Sequence, residues 1–160
     1  MVVTKDVMDA IRERRSIRKY QKKDVPDATV RRILEAAINA PSAGNMQPWF
    51  FYVVKDEKTR VELSRAAHQA FVAEAPVVIV VCTDVLRSAS RYGERGIHLY
   101  CLQDTAAAVQ NMLLAATAFG LATCWVGAFN EEAVAGILKV NRTERRPVAM
   151  VPVGDRKSVV

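Results

Sequence analysis

Apolar positions along this chain fall into helical and strand-like periods that follow one another without a fixed alternation. In residues 5–15, Val7, Met8 and Ile11 share one face and predict a short helix opened by Thr4. Residues 27–40 carry the clearest helical signal. Asp27 after Pro26 starts it, and Val30, Ile33, Leu34, Ala37 and Ile38 repeat at i, i+3, i+4, i+7 and i+8 until Pro41 ends it. Residues 49–55 and 77–82 are strand-like, the second being a continuous apolar run suited to a covered sheet. A helix over about 57–73 lies between them. Residues 99–119 predict a long helix, rich in Ala and Leu and apolar almost all round, with Gly120 as its stop. A strand at 123–128, a helix at 131–139 capped by Asn130 with Glu131 and Glu132 in its first turn, and a strand at 147–153 complete the pattern. Without regular strand–helix–strand alternation, the expected class is α+β.

Composition narrows the function classes. The chain has 160 residues, 51% hydrophobic and 25% charged, without internal repeat, low-complexity tract or Gly/Ser linker, so one folded domain over 1–160 is expected. No apolar run approaches the roughly 20 residues that cross a bilayer, and Lys5, Asp6 and Asp9 leave no room for a signal peptide's apolar stretch. The expectation is a cytoplasmic protein with no membrane partner. The net charge of +6 raises nucleic acid as a partner. Its cations, however, are dispersed over 12–23, 31–32, 87–95 and 142–157 without the aromatic interleaving that stacks bases, so no nucleic-acid role is expected.

Cys82, Cys101 and Cys124 are odd in number and widely spaced, which argues for three small buried hydrophobes over a disulfide framework or zinc site. Nothing beside Cys124 demands a thiolate. His68 and His98 stand 30 residues apart with no carboxylate at ligand spacing, so no metal is expected. Neither a strand-linked Gly-x-Gly-x-x-Gly nor a P-loop occurs.

Two stretches carry chemistry. Arg14, Arg15, Ser16, Ile17, Arg18, Lys19 and Tyr20 gather four cations around one hydroxyl, the donor set a phosphate monoester needs. Pro41, Ser42, Ala43, Gly44, Asn45, Met46, Gln47, Pro48 and Trp49 form a punctuated, amide-rich loop closed by an aromatic, able to hydrogen-bond a flat heterocycle. One amphipathic helix separates them. Each has a plain alternative, a solvated basic run and a simple helix-to-strand connection. Together they point to a phosphorylated planar cofactor, FMN rather than a free nucleotide.

Both motifs resemble those of the FMN-dependent nitroreductase family, and the likeness extends over about residues 5–154. Residues 69–76 (Gln-Ala-Phe-Val-Ala-Glu-Ala-Pro) are similar to the family's flavin-contacting turn, 104–111 (Asp-Thr-Ala-Ala-Ala-Val-Gln-Asn) to its central helix, and 120–129 to the segment passing the isoalloxazine edge. The resemblance implies a homodimer with a mainly antiparallel central sheet flanked by helices. It implies that Arg14, Arg15 and Ser16 hold the ribityl phosphate and that Arg18 approaches the N1/C2=O edge, where reduced flavin gathers negative charge. Pro41, Ser42, Ala43, Asn45 and Gln47 would reach the flavin bound mainly by the partner subunit, and Gln69 would face the pyrimidine edge. Trp125, Val126, Gly127 and Ala128 would act through the backbone near N5, small residues letting the main chain come close. The 99–119 helix would be dimer core, and Tyr92, His98 and Tyr100 would line the substrate wall.

The implied activity is ping-pong transfer of hydride from NADH or NADPH through flavin N5 to a small electron-poor acceptor such as a nitroaromatic or quinone. The cofactor carries the redox step, so no catalytic acid, base or nucleophile is nominated. Reductive dehalogenation or flavin fragmentation on the same fold, and flavin storage without turnover, are the rival readings. One departure stands out: the family usually continues well past Gly154 with a basic pair and an exchanged arm, whereas here only residues 155–160 follow. Either Arg156 and Lys157 supply that pair, or the phosphate loses those ligands.

Overall fold

The computed structural model describes residue 3 and residues 5–158, so Thr4, the expected helix opener, lies outside the described residues. Strand β2 (Val77–Asp84) sets the architecture, because a run of Val, Ile and Cys needs cover on both faces. It pairs antiparallel with β1 (Trp49–Val54) on one side and with β4 (Arg145–Gly154) on the other. The short β3 (Ala122–Thr123) joins β4, giving the order β1-β2-β4-β3 with every pairing antiparallel. The α+β expectation therefore holds.

Side-chain alternation divides the core into two layers. Val77, Ile79 and Val81 pack with Ile33 of α2 (Asp27–Ile38) and Met112 of α6 (Cys101–Ala118). Val78, Val80 and Cys82 pack with Leu63 of α3 (Glu57–Ala67) and Val134 of α7 (Glu131–Leu138). Each fully buried Val or Ile contributes about 1.5–3 kcal/mol. The inner face of α6, Leu113 included, is spent inside this chain, leaving Ala106, Gln110 and Leu114 on its outer side.

Several elements differ from the apolar pattern. Helix α1 is Val7–Glu13, capped by the Asp6 carboxylate, which accepts from the Asp9 amide at 2.8 Å. Val7, Met8 and Ile11 do share a face, but it points outward at 65%, 55% and 49% exposure, and only Ala10 of that helix is buried. The helix expected over 57–73 is two. His68 takes a left-handed turn (φ 51°), and its neighbour's amide reaches back from Gln69 to the Ser64 carbonyl at 3.0 Å, closing α3 before α4 (Phe71–Glu74) begins.

The strand expected over 123–128 stops at Thr123. Within 124–128, Val126 forms an isolated bridge to β4, exchanging 2.9 Å hydrogen bonds with Met150. Helix α5 (Val85–Arg95) went unannounced, since its sequence is polar and only Ser88 is buried. A π turn at Gly96–Tyr100 joins it to α6. Among the described residues no helix is long and apolar enough to cross a membrane.

Candidate cofactor site

Residues 14–18 leave α1 extended and run beside β3, with Ser16 bridging Thr123 and the Ile17 amide donating to the Thr123 carbonyl at 2.9 Å. Extended backbone sends alternate side chains to opposite sides. Arg14, Ser16 and Arg18 therefore share one side, and the charges of the two arginines reach the buried Cys124 thiol. Burial pushes that thiol up, while the charges of Arg18 and Arg14 and a hydrogen bond with Ser16 pull it back. Two cations and a hydroxyl thus stand on one side of an extended segment. Arg18 also lies over the Phe71 ring, 6.0 Å from its centroid, which ties the clamp to the 69–76 turn.

Arg15 is not in that group. Its guanidinium turns back onto the last carbonyls of α1, donating to Arg12 O at 2.6 Å and Arg14 O at 2.9 Å, and so satisfies orphan acceptors at a helix end. It lines a separate cleft of about 150 Å³ with Lys5, Gly120, Leu121 and Arg156. Arg156 reaches this cleft because residues 155–157 dock along residues 19–21. Gln21 N donates to Asp155 O at 2.9 Å, Gln21 Nε2 to Arg156 O at 2.9 Å, and Lys157 N to Lys19 O at 3.1 Å.

Gln69 is exposed at the turn after α3, on the Phe71 side of the clamp. Trp125, Gly127 and Ala128 are exposed while Val126 is buried, so this segment offers open backbone beside the clamp. Cys82, Cys101 and Cys124 are all buried free thiols, and desolvation raises each, Cys82 to about 12, so none is held as a thiolate.

The 41–47 loop has a defined, left-handed course: Gly44, Asn45 and Gln47 have φ of 57°, 55° and 50°. Internal bonds hold it. Asn45 N donates to Ser42 O at 3.0 Å, Gln47 N to Ser42 Oγ at 3.0 Å, and Gln47 Nε2 to Asn45 Oδ1 at 2.9 Å. Pro41 is exposed at its start, and Ala43 supplies its tether to the scaffold. The Ala43 amide donates to Asp104 Oδ1 of α6 at 3.1 Å. Asp104 is buried, its Oδ2 has no hydrogen-bond partner among the described residues, and burial raises its pKa against the lowering pull of that one amide. This residue has no role in the motif reading. The available signal was a lone carboxylate at an inward position of an otherwise apolar helix.

The loop and the clamp stand at opposite corners of the sheet. The loop feeds Trp49, which aligns with Thr83 and through it with Arg146, whereas Ser16 sits by Thr123, which aligns with Val153. Arg146 and Val153 lie seven residues apart along β4, roughly 23 Å, and β1 lies about 14 Å across the sheet from β3. That diagonal is longer than one FMN molecule. The structure joins Arg14, Ser16, Arg18, Gln69 and 125–128 into one neighbourhood and leaves the 41–47 loop outside it.

Comparison with known proteins gives the family. The nitroreductase family model matches residues 11–72 and 64–155. A provisionally named NADH dehydrogenase/NAD(P)H nitroreductase of Methanothermobacter thermautotrophicus is 37% identical over 153 residues, covering 93% of this chain and 76% of that one. The NADH dehydrogenase of Thermus thermophilus is 52% identical over 81 residues, half of this chain and 40% of its own. A crystal structure of a nitroreductase family protein from Clostridium novyi superposes with a TM-score of 0.87 at 29% identity, over 96% of this chain and 87% of that chain. With the matched segments spanning nearly its whole length and the fold shared throughout, this chain belongs to the nitroreductase family.

Proposed function

We propose that this protein is a cytoplasmic, FMN-dependent oxidoreductase of one domain that takes hydride from NADH or NADPH and delivers it to a nitroaromatic or quinone by a ping-pong mechanism. The observation that carries the reading is the placement of Arg14, Ser16 and Arg18 on one side of an extended segment. Two guanidinium forks and a hydroxyl suit a phosphate-bearing ligand better than a neutral one. FMN, when bound, supplies the hydride acceptance and donation that no side chain here provides.

The residues have separable tasks. Arg14 and Ser16 hold the phosphate, with Arg15 and Arg156 adding positive potential from the adjoining cleft. Arg18 places a fixed cation where negative charge develops on reduction, favouring the reduced state and the transition state leading to it. Gln69 and the backbone of Trp125, Val126, Gly127 and Ala128 orient the ring and exclude water from it.

The 41–47 loop cannot serve the clamp of its own chain, so the reading includes a homodimer in which the loop of one copy completes the site of the other. The outward apolar face of Val7, Met8 and Ile11 supports an interface, since an exposed stripe of this kind calls for a cover.

An absorbance spectrum of the purified protein, with the flavin identified after denaturation, tests the cofactor. Steady-state NADH and NADPH oxidation with and without a nitro compound or quinone tests the reaction. Protein that binds FMN but does not oxidise either donor would be a storage protein, and product analysis with a halogenated arene separates reductive dehalogenation.

A further inference from the structure

The segment between β2 and α6 is built with more constraint than a connection needs. Helix α5 breaks at Gly93 (φ 53°, ψ −134°), backbone that side chains rarely adopt, and enters α6 through the π turn at Gly96–Tyr100. The turn folds flat onto α5. Ser88 Oγ donates to the Gly96 carbonyl at 3.2 Å, and a Cβ at position 96 would stand 2.5 Å from the Ser88 carbonyl oxygen, so only glycine fits.

This fold-back assembles four side chains. Tyr92 and Tyr100 meet edge to face, centroids 5.0 Å apart at 87°. The Arg91 guanidinium lies 5.6 Å from the Tyr92 ring centroid and that of Arg95 lies 5.2 Å from the Tyr100 centroid, with Arg95 Nε donating to the Tyr100 hydroxyl at 2.8 Å. Both arginines are exposed, and neither has a carboxylate partner among the described residues, since Glu94 pairs with His98 at 2.7 Å. The cluster abuts the 41–47 loop, which the homodimer reading above carries to the partner's site: the Tyr92 hydroxyl and the Arg91 side chain press on Gly44, where a Cβ would collide with that hydroxyl.

We infer that this segment is a specificity wall that selects aromatic acceptors bearing a carboxylate, an inference that rests on the oxidoreductase reading above. The tyrosine pair offers flat apolar surface to an arene, and each guanidinium, held against a ring, keeps a free fork for a carboxylate at the arene's edge. A merely solvated basic face requires neither the Gly93 conformation nor the Gly96 contact. With 4-nitrobenzoate as acceptor, one NADH and one proton give NAD⁺, 4-nitrosobenzoate and water.

The test uses the FMN-loaded protein with 4-nitrobenzoate, its neutral analogue 4-nitrobenzamide, and varied NADH. Replacing both arginines (Arg91→Gln with Arg95→Gln) should raise the KM for 4-nitrobenzoate about tenfold and leave the KM for the amide and for NADH unchanged. Arg31→Gln with Arg142→Gln removes the same charge elsewhere on the surface and should move neither KM. An equal rise for acid and amide, a rise for NADH alone, a rise in the control pair, or no change at all would each overturn the wall. Lack of turnover with both acceptors in the unaltered protein would instead overturn the oxidoreductase reading, and the wall with it.

Discussion

Three side chains decide most of what is testable at the residue scale. Arg14→Ala and Arg18→Ala each remove a charge-assisted contact of about 1.5–3 kcal/mol, so FMN affinity should fall by about one to two orders of magnitude in an equilibrium titration. Arg18→Ala should also lower the flavin reduction potential, which Arg14→Ala should leave in place. Asp104 is different in kind. Burial raises its pKa, so the stability tied to its neutral form is fully present below the ordinary carboxylate range and is lost as pH rises through the raised value. Asp104→Asn keeps an acceptor for the Ala43 amide and cannot ionise. The melting temperature of Asp104→Asn minus that of the parent should therefore become more positive between pH 4 and pH 8; a flat difference would show that the carboxylate is not strained. Of these three, the arginines were legible from their spacing. Asp104 was not, because its importance comes from an amide 61 residues away.

At the scale of elements, the 41–47 loop makes the sharpest prediction. Gly44 is left-handed and lies under Tyr92, so Gly44→Ala adds about 1–2 kcal/mol of backbone cost to a collision. Faster amide exchange in 41–47, with β2 unchanged, is the expected outcome. Elements whose signal is local were legible: α2 from its apolar repeat, α7 from Asn130, whose side chain accepts from the Ala133 amide at 2.9 Å, and β2 from its unbroken apolar run. The split between α3 and α4 was not, because His68 occupies a left-handed closure where glycine is the usual sign. Helix α5 was hidden by its polar sequence.

At the scale of the whole molecule, two mutations separate core from interface. Leu113 is 3% exposed in the layer between α2 and the sheet, so Leu113→Glu should unfold the chain by more than about 3 kcal/mol rather than part a dimer. Met8→Asp with Ile11→Asp should leave the monomer folded by circular dichroism yet dissociate the dimer and release flavin, since a ligand that binds only the assembled state stabilises that state. Sedimentation at micromolar concentration decides the matter: a monomer that retains stoichiometric FMN would refute the shared site.

The sequence by itself determined the class of fold, the family and the donor sets that the two motifs carry, because periodicity and composition are local properties of the chain. Where those motifs stand depended on long-range pairing. The antiparallel register carries the loop to one corner of the sheet and the clamp to the other. The docking of residues 155–157 beside 19–21 carries Arg156 to the cleft that Arg15 lines. The outward turn of Val7, Met8 and Ile11 has the same origin, since a helical stripe specifies a face, and only the packing of the rest of the molecule decides whether that face meets the core or the surface.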